Sequence, residues 1–134
     1  MIVVDASVVV AALIDGGDDG RWSRERLTGG GLAAPHLLPV EVANVLRRAA
    51  NGGRISDDVA ALAHGEMRAL AVELFPYELV ADRVWALRSS VTTYDAWYVA
   101  LAELLELPLA TLDRRLRGAA GPTCQFLVPG DGSA

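Results

Sequence analysis

An α/β sandwich built on a mainly parallel sheet is the fold class the sequence predicts, and three observations predict it. Short strand-like runs alternate with longer helical patterns, and parallel strands need such helical crossovers. The chain has 134 residues, 52% of them apolar, which is enough for one core. No linker or repeat divides it, so residues 1–128 are expected to form one domain and 129–134, "PGDGSA", a flexible C-terminal tail.

The first element is "MIVV", a β-branched run that stays apolar past Asp5 and Ala6, as suits a buried strand feeding a helix. "GGDDG" interrupts the pattern and places Asp15, Asp18 and Asp19 in a glycine-rich connection. "RWSRERL" follows as an amphipathic helix, "GGGL" as a turn and "LAAP" as a very short strand. From Pro39 to Ala50 a helix carries proline in its first turn and Val42, Val45, Leu46 and Ala49 on one side. Ser56, with Asp57 and Asp58 behind it, caps the next helix, which runs to about Leu70. "AVELF" is a strand and Tyr77 to Ser89 a helix. "TTYDAWYVALAELL" is a helix with almost no polar face, capped by Thr92 and Thr93. "PLATL", a short helix from Asp113 and the strand "CQFLV" complete the order.

Composition narrows the chemistry. All twelve basic residues are arginine, and the absence of lysine excludes a Walker P-loop, a Schiff-base enzyme and the usual aspartyl-phosphate phosphatase. Two histidines, His36 and His64, are too few for a histidine-rich metal cage and read as structural. The lone Cys124 reads as a small strand hydrophobe. A net charge of -5 argues against a simple basic nucleic-acid binder while allowing an acidic pocket neutralised by a metal ion. "MIVV" reaches an aspartate after four residues and no later apolar stretch is long enough to span a bilayer, so a cytoplasmic location is expected.

Four carboxylates stand at helix mouths. Each has a plain structural reading: Asp5 and Asp113 as N-caps, Glu41 and Asp95 as first-turn acids that favour the helix dipole by about 0.3–1 kcal/mol. Together they imply more. The helix after Asp95 rises roughly 17 Å and the strand 108–112 returns about 16 Å, which brings Asp113 back to the level of Asp95. Carboxyl ends of strands and amino ends of the following helices share one edge of an open α/β sheet, where ligands bind. Acids converging there repel one another and require a positive partner. An oxygen-only donor set suits a hard cation, Mg²⁺ or Mn²⁺. Ser7 and Thr111, each two residues from an acid, are placed to hydrogen-bond a carboxylate or a metal-bound water.

The stretches "MIVVDAS", "PHLLPVEVANVLRR" and "TTYDAWYVALAELLELPLATLDRRL" together resemble the PIN-domain ribonucleases, in particular the VapC-type toxins of toxin–antitoxin pairs. The resemblance runs from Met1 to about Val128 and rests on four acid-bearing blocks in the family's order. It implies a PIN-like α/β/α sandwich and a metal-dependent endoribonuclease with Asp5, Glu41, Asp95 and Asp113 as the acidic quartet. It also implies a VapB-like antitoxin and a homodimer. One departure is that Arg114 and Arg115 follow Asp113, where some relatives carry a further acid.

On this reading Asp5, Asp95 and Asp113 are the main metal ligands and Glu41 is a ligand or water-orienting base. Arg114 and Arg115 are candidate phosphate contacts, whereas Arg47 and Arg48 read as a solvated helix face. Trp22 and Leu27 are expected to offer apolar docking surface to the antitoxin. Trp85, Trp97, Tyr98, Phe75 and Phe126 are expected in core or dimer packing. The rivals are a magnesium-dependent phosphatase or phosphotransfer module and a catalytically silent PIN-like scaffold that binds RNA or a partner.

Overall fold

The computed structural model describes residues 1–131. The chain begins with β1 (Ile2–Val4), α1 (Ala6–Ile14), α2 (Asp18–Thr28), β2 (Leu32–Pro35), α3 (Leu38–Asn51), α4 (Asp57–Ala69) and β3 (Val72–Phe75). A 3-10 turn at Tyr77–Leu79 leads into α5 (Ala81–Ala86), α6 (Thr93–Leu105), β4 (Leu109–Ala110), α7 (Arg114–Arg117) and β5 (Phe126–Leu127).

All five strands are parallel, in the order β3-β2-β1-β4-β5. Val3 pairs with Ala33 on one side and with Leu109 on the other. Those three residues, with Val4, Ala34 and Ala110, are fully excluded from water. Successive strand residues point to opposite faces. Complete burial of consecutive residues therefore means that helices cover both faces, as in the expected sandwich. On one side α1 packs against α2, α3 and α4; α6 packs against α5 and lies along β1, β2 and β4.

The chain moves from β1 outward through β2 to β3, then returns to the far side of β1 for β4 and β5. The reversal falls between β1 and β4, the position where open α/β sheets bind ligands.

Several local expectations are corrected. The "GGDDG" break is shorter than its composition implies: α2 starts at Asp18, so Asp18 and Asp19 form its first turn, where the helix dipole favours acids. The helix expected from Tyr77 to Ser89 is divided at Val80, which serves as C-cap of the 3-10 turn and N-cap of α5. Trp22 and Leu27 are half-buried against the core, with the Arg26 guanidinium 5.0 Å from the Trp22 ring centre, so the apolar surface they offer is smaller than the sequence implies. Trp85 is not core; its ring is exposed beneath the Arg88 guanidinium, 4.7 Å from the ring centre. Phe75, Trp97 and Phe126 pack against the core and Tyr98 lies within it, as expected.

The expected tail lies partly outside the described residues, at 132–134. Within the described part, the Pro129 carbonyl accepts a hydrogen bond from Arg114 and Asp131 pairs with Arg117. Among the described residues no helix is long and apolar enough to cross a membrane.

Candidate active site

Asp5 leaves β1 in an extended conformation and caps α1, with Oδ1 accepting the Val8 N–H at 3.2 Å. Two hydroxyls hold the same carboxylate. Ser7 Oγ donates to Oδ1 at 2.6 Å and Thr111 Oγ1, from the end of β4, donates to Oδ2 at 2.5 Å. Each hydroxyl also accepts a backbone N–H from the turn after β4: Leu112 to Ser7 at 3.1 Å, and Asp113 to Thr111 at 3.0 Å. Ser7 and Thr111 thus join the carboxyl ends of β1 and β4 into one rigid unit. Thr111 is fully buried, so this bonding also satisfies a hydroxyl that water cannot reach.

The other three acids arrive from three different helices. Asp113 caps α7, accepting the Arg115 N–H at 3.0 Å. Asp95 sits in the first turn of α6, and its N–H donates to Thr92 Oγ1 at 3.2 Å. Thr92 therefore does the capping, and the Asp95 carboxylate is available to the site. Glu41, in the first turn of α3, accepts a 2.6 Å hydrogen bond from the hydroxyl of Tyr98.

Charge ties the four together. Burial pushes the Asp5 carboxyl up to about 6, against the hydrogen bonds from Ser7, Thr111 and Val8, and the charge of Asp95 adds to the rise. Asp95 is itself raised by burial and then by Asp113, with Thr92 and Arg115 opposing. Glu41 is raised by burial and by Asp95, while the Tyr98 hydrogen bond opposes. Burial and the neighbouring Glu41 carboxylate drive the Tyr98 phenol upward, so it stays a neutral donor. Asp95 is thus the common neighbour: Asp5 and Glu41 respond to its charge, and it responds to that of Asp113.

Among the described residues no three His, Cys, Asp or Glu side chains stand close enough to enclose a metal ion on their own. The donor set nevertheless fits a hard cation. It is oxygen-only and mutually repulsive, and Mg²⁺ is held through one or two carboxylates while keeping several of its waters. A closed cage is not required.

The two candidate phosphate contacts separate. The Arg114 guanidinium donates to the Pro129 carbonyl, whereas the Arg115 side chain is 94% exposed and leans on Asp113 at 3.3 Å. Arg47 and Arg48 are exposed on α3, in line with a solvated face. Tyr98, expected in packing alone, also serves the site through its hydroxyl. Its signal was the spacing, since residue i+3 of a helix shares the face of Asp95. A cleft of about 570 Å³ between α1 and α3 opens beside the acids, lined in part by Ser7, Val10, Ile14, Val45, Ile55 and Leu112.

A family model described as PIN domain matches residues 2–122. The chain is 38% identical over 128 residues to the VapC ribonuclease Mb0985 of Mycobacterium bovis, covering 96% of this chain and 98% of that protein. It is 41% identical over 125 residues to ribonuclease VapC1 of Mycobacterium tuberculosis, covering 92% and 94%. Among solved structures, Mycobacterium tuberculosis VapC20, described as a Sarcin-Ricin loop cleaving toxin, superposes with a TM-score of 0.69. That match is 15% identical and covers 92% of this chain and 97% of the other. PAE2754 from Pyrobaculum aerophilum superposes with a TM-score of 0.65 at 25% identity, over 92% and 87% of the two chains. With a family model spanning most of its length and near-full-length relatives at 38–41% identity, the chain belongs to the PIN-domain family, among its VapC ribonucleases.

Proposed function

We propose that the protein is a divalent-metal-dependent endoribonuclease toxin that hydrolyses RNA phosphodiester bonds. The observation that carries this reading is the gathering of Asp5, Glu41, Asp95 and Asp113 from four elements at the β1–β4 switch point, coupled through Asp95. Kinship with named VapC ribonucleases over nearly the whole chain supports it.

Asp5, Asp95 and Asp113 would hold Mg²⁺, or Mn²⁺, directly or through water, with Glu41 as a further ligand or water-orienting base. When bound, the ion acidifies a coordinated water and offsets charge developing on the phosphate. The chain's own side chains do the rest. Ser7 and Thr111 lock the Asp5 carboxylate in one orientation and offset part of its burial. Glu41, with Oε1 taken by Tyr98, has Oε2 to orient a water or accept its proton. Arg115 extends from the mouth of α7 toward solvent, where it can meet an incoming phosphate.

A VapB-like antitoxin is the proposed restraint. The cleft between α1 and α3 supports this, because an apolar segment seated there would lie against Ser7 and Leu112. A homodimer is proposed as well, supported by the exposed Leu79 and Leu104, which line one hollow with Arg83 and Glu103. Co-purification with the product of the adjacent gene and light scattering of the free protein test these two partners.

The activity is tested with labelled RNA, the purified protein and Mg²⁺ or Mn²⁺. Cleavage that disappears with EDTA and falls at least ~100-fold in Asp95→Asn is expected. No cleavage by the parent, or an Asp95→Asn protein that folds normally and cuts as well, overturns the reading.

A further inference from the structure

We propose that Tyr98 is a positioning residue of the active site, whose hydroxyl holds Glu41 Oε1 and thereby fixes the orientation of the carboxylate whose Oε2 would serve a bound metal ion or its water. The inference rests on the nuclease reading and deepens it.

The face that α6 buries is otherwise apolar: Ala96, Val99, Ala100, Leu101 and Ala102. Tyr98 is the one polar side chain in that set, and it is only 2% exposed. Packing alone gives the ring a purpose but not the hydroxyl, since phenylalanine would fill the same space without burying a polar group. The hydroxyl meets one partner among the described residues, Glu41, which lies 57 positions away on α3.

Glu41 needs such a tether. Glutamate has several rotatable bonds, and at the half-buried mouth of a helix its carboxylate would sample several rotamers. A 2.6 Å hydrogen bond to a ring fixed in the core removes that freedom before the ion or substrate arrives. Tyr98 lies three residues after Asp95, so α6 controls two of the four acids, one on its own backbone and one through the phenol. Asp5 is held in the same manner by Ser7 and Thr111. Both acids are thus oriented by neutral hydroxyl donors, which fix a carboxylate without neutralising it.

Tyr98→Phe removes one oxygen and keeps the ring. Three quantities are read in the full chain: Mn²⁺ affinity by calorimetry without RNA, the Mg²⁺ dependence of cleavage, and kcat and KM for a labelled RNA. The expected result is a melting temperature within a few degrees of the parent, kcat lowered about 10-fold with KM unchanged, and Mn²⁺ affinity weakened several-fold. In a Glu41→Gln background the same substitution is expected to change kcat and affinity no further, because the phenol acts through Glu41. Tyr98→Met, a second apolar side chain at the position, is expected to reproduce the loss.

Unchanged kcat and Mn²⁺ affinity in folded Tyr98→Phe overturn the proposal. So does an undiminished effect in the Glu41→Gln background, which would place the hydroxyl's action elsewhere. A parent that cleaves no RNA but binds Mn²⁺, with affinity weakened by Tyr98→Phe, sinks the nuclease reading and leaves the positioning role standing. A parent that neither cleaves RNA nor binds Mn²⁺ sinks both.

Discussion

Asp5 is held in three ways at once: it caps α1, it accepts two hydroxyl hydrogen bonds, and it is shielded from water by the sheet edge. Burial wins over the hydrogen bonds, and its carboxyl rises from the ordinary 3.8 to about 6. The fold therefore favours the protonated form. The stabilisation this provides is fully present below the unfolded-state value near 4 and is lost as pH rises through about 6. Metal-free protein is expected to lose several degrees of melting temperature between pH 4.5 and 7, a decline that Mg²⁺ reduces and Asp5→Asn removes in large part. Calorimetry across that pH range checks it. A flat profile for the parent, or an equal decline in the Asn variant, contradicts the assignment to Asp5.

At the scale of elements, α6 positions the site, and the α1–α2 corner holds two covering helices together. Thr92 caps α6 immediately before Asp95, so Thr92→Ala is expected to cost about 1 kcal/mol of stability and to loosen the Asp95 backbone. Urea denaturation gives the first and a fall in cleavage rate the second. At the corner, buried Gly20 lets α2 approach the end of α1, and a Cβ there would collide with the Asp15 carbonyl oxygen. That oxygen also accepts from Arg24 at 2.8 Å, so it is not free to withdraw. Gly20→Ala is expected to cost about 2–3 kcal/mol, read from the urea midpoint, and a loss under 0.5 kcal/mol would show that the corner yields easily.

Element order and type were legible in the sequence because apolar periodicity reports which face of each segment is buried. The ends were less so. Nothing between Tyr77 and Ala86 is glycine or proline, yet the helix divides at Val80, where Tyr77 turns to meet Trp97 edge-on at 5.3 Å. Of the strand expected across 108–112, β4 keeps Leu109–Ala110; Thr111 still donates its N–H to the Leu127 carbonyl at 3.0 Å, and the backbone leaves the sheet at Leu112, whose N–H turns to Ser7. Tertiary contacts set these boundaries, and local composition carries no record of them.

Across the whole molecule the net charge is -5, so the approach of RNA depends on local cations rather than on the total field. The described structure distinguishes arginines that the sequence presented as equals. Arg114 is committed to the Pro129 carbonyl, while Arg115 is exposed beside Asp113. Arg115→Ala is expected to raise KM for RNA about 3- to 10-fold with metal affinity unchanged, whereas Arg114→Ala is expected to lower the melting temperature with little change in KM. The reverse pattern in steady-state kinetics would reassign the phosphate contact.

The sequence by itself determined the donor chemistry: acids and hydroxyls, no lysine, two histidines, and four carboxylates each at a helix mouth where a cap or first-turn role is locally favourable. It also determined the alternation of strands and helices, and with it the sheet edge on which those acids would lie. Tertiary structure decided which acids become neighbours and what holds them. It seated β4 beside β1, so that Thr111 reaches Asp5 across 106 positions, and it brought Tyr98 to Glu41 across 57. The physical reason is that periodicity specifies that a face must be buried, while only the packing of strands and helices specifies what that face meets.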